Sequence, residues 1–378
     1  LWWMNIDSYQ VLIKVKYANV LEYLENNEGE FVSGAKIADA LGVSATAVWK
    51  AAAKLRASGW GIEAVTNRGY RLVRDIDALS ASSILIYYRR LIQEELDQPV
   101  SDDRQHSQSA NTDAPVLKVE VFENVDSTNN VCLERAARCA DEIYVAVSSH
   151  QTAGRGRRGR SFYSPSGTGL YMSILLKPQN MDQARSLSLT TIAAVAVSRA
   201  IEHVTGKEAG IKWVNDIYMD GLKVCGILTE ASFDLETRAL DHAVVGIGIN
   251  VKTPSDGFPE EIRGIAGSIC GADETIDRSL LTAEILQNFV YYYRELCVAR
   301  TDTGTGTAAH NSSYMDEYRK RCIVIGKHVD VLKAGEPARE AVATGLDDQC
   351  GLMVRYEDGS EETLSSGEIR IKMSSEHK

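Results

Sequence analysis

Between Gln151 and Arg160 the chain reads QTAGRGRRGR, setting four arginines among three glycines. Glycines give a loop freedom and let backbone approach a ligand, while arginines supply charge and donors for phosphate and carboxylate oxygens. The spacing Gly154-x-Gly156-x-x-Gly159 matches a dinucleotide-binding fingerprint, but that fingerprint must follow a strand and open a helix. A strand over residues 143–149 precedes it; SFYSPSGTG (Ser161 to Gly169) follows and cannot form the helix. A solvated basic loop or an RNA contact is an alternative reading. The reading that uses both residue types is a mobile lid over a nucleotide and an acid, as acyl-adenylate formation requires. There a carboxylate approaches an α-phosphate, and fixed cations must offset the repulsion.

A second constellation lies in KWVNDIYMDGLKVCGIL (Lys212 to Leu228), two strands around an Asp220-Gly221 turn. Closing the turn without irregularity pairs Met219 with Leu222, Tyr218 with Lys223, Ile217 with Val224 and Asp216 with Cys225. Ile217, Met219, Leu222, Val224 and Gly226 then share an apolar face, and Asp216, Tyr218 and Lys223 the other. Asp216 and Lys223 become diagonal neighbours within side-chain reach. The bland alternative is a surface ion pair of little worth. The functional reading directs Lys223 to carboxylate and phosphate oxygens, with Asp216 orienting the lysine or a metal-bound phosphate.

The third is AVVGIGINV (Ala243 to Val251). Its alternation puts Val244, Gly246, Gly248 and Asn250 on one face of a strand. Two glycines on one face imply close approach by another group, either a packed helix or a flat ligand ring with Asn250 at its polar edge.

Three regions must position these groups. Residues 17–73 read as three helices and a two-stranded segment, residues 117–318 as mixed strands and helices, and the chain from Cys322 onward as strands and turns. In the first region a helix ends at Gly42 and Ser44 is placed to cap the next, a helix-turn-helix layout. A hairpin wing with Asn67 to Gly69 near its tip follows. Residues 44–74 hold Lys50, Lys54, Arg56, Arg68, Arg71 and Arg74 against the single acid Glu63. That excess suits a phosphate-facing surface, although the whole chain carries −11. A small helical module for protein contacts is the alternative. Residues 97–115 read as a polar linker, and Thr301 to Ser313, with its Thr-Gly alternation, as a loop insertion.

In this order, Asp126 to Asn129 (DSTN), Gln151 to Arg160, Lys212 to Leu228 and Gly246 to Asn250 resemble the biotin–protein ligases. The amino-terminal region, including AVWK (Ala47 to Lys50), resembles the winged-helix domain of biotin operon repressors, and VRYEDGSEE (Val354 to Glu362) marks a similar SH3-like carboxyl-terminal domain. The resemblance implies that Ser127, Thr128, Asn129 and Gln151 line a biotin site, with Gly246 and Gly248 under its ring. It implies that Gly154, Arg155, Gly156 and Arg157 close over biotin and the adenylate, and that Lys223 contacts the reacting carboxylate. Asn215, Asp216 and Asn250, with Arg155 and Phe162, would serve ATP. Arg157, Asp216 and Lys223 are the candidate catalytic groups. No Cys/His metal spacing occurs, so Mg2+ is expected to arrive with ATP, near Asp216. Ser44, Thr46, Lys50, Lys54 and Arg68 are the candidate DNA contacts. Three departures stand out: Ala45 where the family often has arginine, Val214 where it commonly has proline, and Phe162-Tyr163 where a tryptophan is usual.

The expected architecture is an α/β mixed-sheet core (117–318) with an amino-terminal winged helix-turn-helix (1–78), a linker helix and polar linker (79–116), and an SH3-like β-barrel (319–378). The implied reaction forms biotinyl-5′-AMP from biotin and ATP, then transfers biotin to a lysine of a carboxylase's biotin carboxyl-carrier domain. Operator DNA and a second copy of the chain, as a homodimer, are further expected partners. A lipoate–protein ligase and a non-catalytic biotin-sensing regulator are the rival readings. The seven scattered cysteines form no C-x-x-C pair, no apolar run is long enough to span a membrane, and the start lacks a signal-peptide pattern, with Met4 read as the natural start. A cytoplasmic protein with reduced, largely buried thiols is expected.

Overall fold

The computed structural model describes residues 19–57, 60–73, 79–97, 117–138, 143–178, 181, 183–234, 236, 239–271, 274–298, 313–333, 335–365 and 368–371. Met4, Arg74, Cys139, most of the expected 97–115 linker and the Thr-Gly stretch at 301–312 lie outside the described residues. The chain divides into two compact units, Leu1–Gln98 with Asp277–Ala283, and Pro99–Ile276 with Glu284–Lys378.

In the first unit residues 19–25 are helical, followed by α1 (Gly34–Leu41), α2 (Ala45–Ala57), β1 (Ile62–Val65), β2 (Gly69–Leu72) and α3 (Ala81–Asp97). Ser33 Oγ accepts from Lys36 N to cap α1, and Gly42 ends it in the left-handed region at φ 62°. Ser44 Oγ accepts from Ala47 N at 3.2 Å and starts α2 as expected. The helices bury Leu21, Leu24, Ile37, Val48 and Leu55 against Ile62 and Leu72 of the wing. Gly69 is required where it stands. Its φ is +100°, and a Cβ there would sit 2.1 Å from the Val32 carbonyl oxygen that pairs with Tyr70.

The second unit is built on a mixed seven-stranded sheet of order β3-β4-β5-β9-β8-β7-β6. Its strands are β3 (Leu117–Phe122), β4 (Ile143–Ser148), β5 (Gly169–Leu176), β6 (Gly210–Lys212), β7 (Asp216–Met219), β8 (Leu222–Phe233) and β9 (Leu240–Asn250). Only β3 and β4 run parallel, joined by α4 (Thr128–Ala136). Strands β4 and β5 are buried at every position, as strands covered on both faces must be. On one face Cys132 and Ala136 of α4 pack with Tyr144, Ala146, Leu175 and Val244. The long helix α5 (Gln183–Thr205) covers the opposite face, where Thr190 and Thr229 hydroxyls lie 2.7 Å apart and Thr229 pairs with Val245. Then come α6 (Arg278–Val298) and α7 (Ser313–Arg321).

The carboxyl-terminal strands β10 (His328–Leu332), β11 (Arg339–Leu346), β12 (Leu352–Tyr356), β13 (Glu361–Leu364) and β14 (Glu368–Ile371) form an antiparallel sheet of order β13-β12-β11-β10-β14. β13 and β14 occupy opposite edges with no ladder between them among the described residues, so these strands make a five-stranded sheet and not a closed barrel. Val329, Val331, Ala341, Ala343, Leu352 and Val354 supply its core by simple alternation.

Candidate active site

The sheet face that carries α4 also carries the residues singled out by their chemistry. Gly246 and Gly248 on β9 sit opposite Leu228 and Gly226 on β8, and opposite Ser173 and Tyr171 on β5. The glycines leave room for side chains that lie flat on the backbone. A Cβ on Gly246 would fall 2.1 Å from Asn129 Oδ1, and one on Gly248 2.6 Å from the Phe162 ring. Phe162 also lies over Gly226 and packs edge-on to Tyr171 at 6.3 Å. The floor is therefore three glycines wide in effect, across two strands, with Asn129 and Phe162 above it.

At one end of this floor, Ser127, Thr128 and Asn129 at the start of α4 are all buried polar residues. Gln151 Oε1 accepts from Thr128 N at 2.8 Å and Thr128 Oγ1 at 3.2 Å, satisfying a helix donor that would otherwise lack a partner. Ser173 Oγ lies 2.6 Å from Asn129 Oδ1 and 2.7 Å from Thr128 Oγ1. Gln151 Nε2 donates to Ser164 Oγ at 3.1 Å.

The Gly/Arg loop is a tight hairpin, not the opening of a helix. Phe162 N donates to Gly154 O at 2.9 Å, and Gly156 N to Arg160 O at 2.7 Å. Its tip turns through Arg158 at φ 57° and Gly159 at φ 72°. Arg155 and Arg157 diverge from it. Arg155 Nη2 pairs with Glu230 Oε1 at 2.8 Å and Nη1 donates to Asn130 Oδ1 at 3.0 Å. Arg157 Nη1 crosses to Asn215 Oδ1 at 2.8 Å.

The hairpin of β7 and β8 corrects the expected register. Met219 pairs with Leu222 and Tyr218 with Lys223, but Ile217 then pairs with Cys225 and Asp216 with Gly226. Val224 is the extra residue of a bulge. Its cause is tertiary: Lys223 N donates to Ile265 O and Gly267 N donates to Lys223 O, so the loop before residue 268 takes the backbone of Lys223. Cys225 turns inward, and Gly226 moves from the expected apolar face to the site face. Lys223 and Asp216 still meet, with Nζ 2.7 Å from Oδ1. The contact is an ion pair off the line of a hydrogen bond, and Asp216 Oδ1 is buried without a hydrogen-bond partner. That leaves a lone pair suited to a cation. Among the described residues no three His, Cys, Asp or Glu side chains cluster as a metal site.

Asn215 is clamped by Nδ2 to Ile227 O at 2.9 Å, and Asn250 donates to Gly267 O at 3.0 Å, on the same loop that engages Lys223. The Trp213–Val214 peptide, where Val214 replaces the expected proline, is cis. Trp213 Nε1 donates to Cys350 O at 2.8 Å and Tyr318 OH to Val214 O at 3.2 Å, so α7 and the carboxyl-terminal sheet hold this strand entry from behind. A cavity of about 410 Å³ opens beside the same loop, lined by Met219, Leu222, Thr253, Phe258, Ala266 and Ser268 among others, none of them a candidate site residue from the sequence.

The structure thus brings together Ser127, Thr128, Asn129, Gln151, Gly154, Arg155, Gly156, Arg157, Phe162, Asn215, Asp216, Lys223, Gly246, Gly248 and Asn250 on one sheet face and the loops over it. Sequence reasoning missed Ser164, Ser173 and Glu230. The pairing of Ser173 with Gly246 was a usable signal, available once β5 and β9 were recognised as neighbours. Ser44, Thr46, Lys50, Lys54 and Arg68 belong to the first unit. All are exposed, the last stacking its guanidinium 4.0 Å over the Phe31 ring.

This core matches the Biotin/lipoate A/B protein ligase family over residues 121–250, flanked by matches to an HTH domain at 18–71 and the Biotin protein ligase C terminal domain at 324–371. The bifunctional ligase/repressor BirA of Bacillus spizizenii is 37% identical over 279 residues, covering 73% of this chain and 78% of that protein. The Salmonella typhimurium BirA is 27% identical across 91% of this chain and 94% of its own length. The Aquifex aeolicus biotin protein ligase, solved in complex with biotin and ATP, superposes with a TM-score of 0.53 at 27% identity, over 68% of this chain and 99% of that one. The chain belongs to the biotin–protein ligases, in the branch that joins the ligase to an amino-terminal helix-turn-helix domain. Among the described residues no helix is long and apolar enough to cross a membrane.

Proposed function

We propose that the chain activates biotin with ATP and transfers it to a lysine of a biotin carboxyl-carrier domain, and that its helix-turn-helix binds operator DNA in response to the intermediate. The observation that carries the ligase reading is the convergence of Lys223 and Arg157 on the segment Asn215–Asp216, beside a glycine floor walled by Asn129 and Phe162. Biotin's ring system lies against Asn129 and Phe162, which cover Gly246 and Gly248, and among Ser127, Thr128 and Gln151. Its carboxylate points toward Lys223.

A carboxylate oxygen attacks the α-phosphorus of ATP, and pyrophosphate leaves. Lys223 and Arg157 offset the mutual repulsion of the two anions, which is electrostatic stabilisation by preorganised cations. Asp216 holds Lys223 in place, and Arg155, Phe162, Asn215 and Asn250 complete the nucleotide contacts. The residues present fit Mg2+ as a companion of ATP. Asp216 would hold it and the nucleotide phosphates would supply further ligands, since Mg2+ at such sites takes one or two carboxylates plus phosphate oxygens. When bound, the ion neutralises phosphate charge. In the second step a neutral lysine amine attacks the activated carbonyl, AMP leaves, and the amine loses a proton.

The functional division we propose is a winged helix at 1–78, a linker helix and linker at 79–116, the ligase core at 117–318 and an SH3-like domain built on the five-stranded sheet at 319–378, in a cytoplasmic protein that dimerises on DNA. Ser44, Thr46, Lys50, Lys54 and Arg68 are the DNA-facing set. The test is isotope exchange between pyrophosphate and ATP. Exchange that needs biotin, and that lipoate does not support, is the expected result. Exchange supported by lipoate alone points to a lipoate ligase, and none with either acid to a regulator that only binds biotin.

A further inference from the structure

Glu230 stands on β8, on the site face opposite Val244, and each of its carboxylate oxygens is taken by a different element. Oε2 accepts from Asn129 Nδ2 at 2.8 Å, and Oε1 pairs with Arg155 Nη2 at 2.8 Å. The other end of the Asn129 amide lies 2.6 Å from Ser173 Oγ, so both of its polar atoms are fixed where it lies over Gly246. The other arm of Arg155 reaches Asn130 on α4. One carboxylate therefore ties three pieces of the site: the start of α4, the first arginine of the Gly/Arg loop and the strand beneath both.

The two loop arginines are consequently unlike. The charge of Arg155 is offset locally by Glu230. Arg157 is bonded to the neutral carboxamide of Asn215, which leaves its charge uncompensated by that partner. Arg155 meets an opposite charge and a second acceptor in Asn130, whereas Arg157 meets one neutral acceptor, so the Arg155 end of the loop is the better anchored end.

We infer that Glu230 is a positioning residue: it anchors the base of the Gly/Arg loop through Arg155 and sets the Asn129 amide over the glycine floor. It touches neither reacting group. The inference rests on the ligase reading for its kinetic consequences, not for its geometry. The competing account is an ordinary half-exposed ion pair with no effect on function.

The test uses the full chain and Glu230→Gln, which keeps an acceptor for Asn129 but places an uncharged amide against Arg155. The variant is expected to raise the KM for biotin by roughly tenfold, the scale of one charge-assisted hydrogen bond, and to change kcat less. Trypsin is expected to cut it faster than wild type after Arg157, Arg158 or Arg160. Arg155→Gln should give a similar KM shift, and the double variant should be little worse than either single one, because both changes break the same contact. An unchanged KM in Glu230→Gln, an unchanged cleavage rate, or shifts that add fully in the double variant would each overturn the assignment. If Glu230→Gln does not fold, a wild-type KM in Arg155→Gln overturns it. The cleavage readout needs no catalysis, so a wild-type protein that forms no biotinyl-adenylate defeats the ligase reading while trypsin still judges the anchor.

Discussion

Lys223 and Asp216 stand 2.7 Å apart on neighbouring strands whose pairing slips by one residue between them. Both side chains are half-buried, so this pair adds little to stability; partly solvated ion pairs are typically worth less than about 1 kcal/mol. Its consequence is geometric. The bulge at Val224 presents Lys223 and Gly226 on the same face, so the ammonium lies at the edge of the glycine floor, beside the Phe162 ring that covers it.

Arg157 closes the loop over the site by its bond to Asn215. Arg157→Gly is expected to form some adenylate but to release it early. The dissociation rate of biotinyl-adenylate should rise by about tenfold or more, the loss expected for one charge-assisted bond. A stopped-flow chase with unlabelled ligand measures it, and a wild-type rate would mean the loop does not act as a lid.

Tyr318 lies in α7, and its hydroxyl is the partner of the Val214 carbonyl, two residues before Asp216. Tyr318→Phe leaves that buried carbonyl unpaired, at a cost of about 1–3 kcal/mol. A lower Tm and a reduced kcat for adenylation are expected together, since Val214 leads directly into Asn215 and Asp216. A kcat equal to wild type would show that the strand entry does not depend on this contact.

Much of this arrangement was legible in the sequence. The Asp220-Gly221 turn, the glycine alternation of β9 and the Ser44 cap follow from local chemistry, and each appears as read. The bulge does not. It is imposed by two backbone hydrogen bonds, Lys223 N donating to Ile265 O and Gly267 N to Lys223 O, some forty residues away in sequence. In a strand a one-residue slip reverses every side chain beyond it. A register without the slip assigns Gly226 to the apolar face, and Glu230 with it, so the Asn129 and Arg155 anchor stayed hidden. The closed barrel expected after residue 319 rested on punctuation and resemblance, which set strand number but not closure.

Burial raises the thiol pKa of Cys132 from 9.0 to about 12, and those of Cys322 and Cys350 to about 11. Cys225 is pushed up further, its burial complete. These thiols stay neutral and unreactive in the folded state, whereas Cys297 is exposed. Iodoacetamide at pH 8 should modify Cys297 and spare these four until the protein unfolds. An acid whose folded pKa is raised stabilises the fold below its unfolded pKa and loses that contribution as pH climbs. Stability from these thiols should therefore fall from about pH 9 toward 11–12. Rapid native labelling of Cys225, read by peptide mass, would contradict the packing.

The exposed face of α2 carries Thr46, Lys50 and Lys54, with Trp49 58% exposed beside them, and Arg68 stands on the wing. Sequence-specific DNA binding that tightens with biotinyl-adenylate is expected, because the intermediate must favour the DNA-competent form for the two activities to be coupled. Ala45, where the family often has arginine, removes one cation from the helix start and should weaken absolute affinity and lower its salt dependence. Fluorescence anisotropy at stated salt checks this on DNA upstream of biotin synthesis or uptake genes. Equal affinity for scrambled DNA, with and without the adenylate, would reduce the winged helix to a protein-contact module.

Lys223 and Asp216 are proposed to serve the transfer of biotin through an adenylate. The direct measurement incubates the wild-type chain or Lys223→Ala with biotin, Mg-ATP and a biotin carrier domain, then follows the carrier by mass spectrometry under single-turnover conditions. The wild type should add one biotinyl group to one carrier lysine, dependent on ATP. Lys223→Ala, folded and with a normal circular dichroism spectrum, should do so about 10²–10³-fold more slowly, the usual loss for a preorganised group at a developing charge. A carrier that gains no mass with the wild type, or gains it at equal rates with both proteins, would contradict the account.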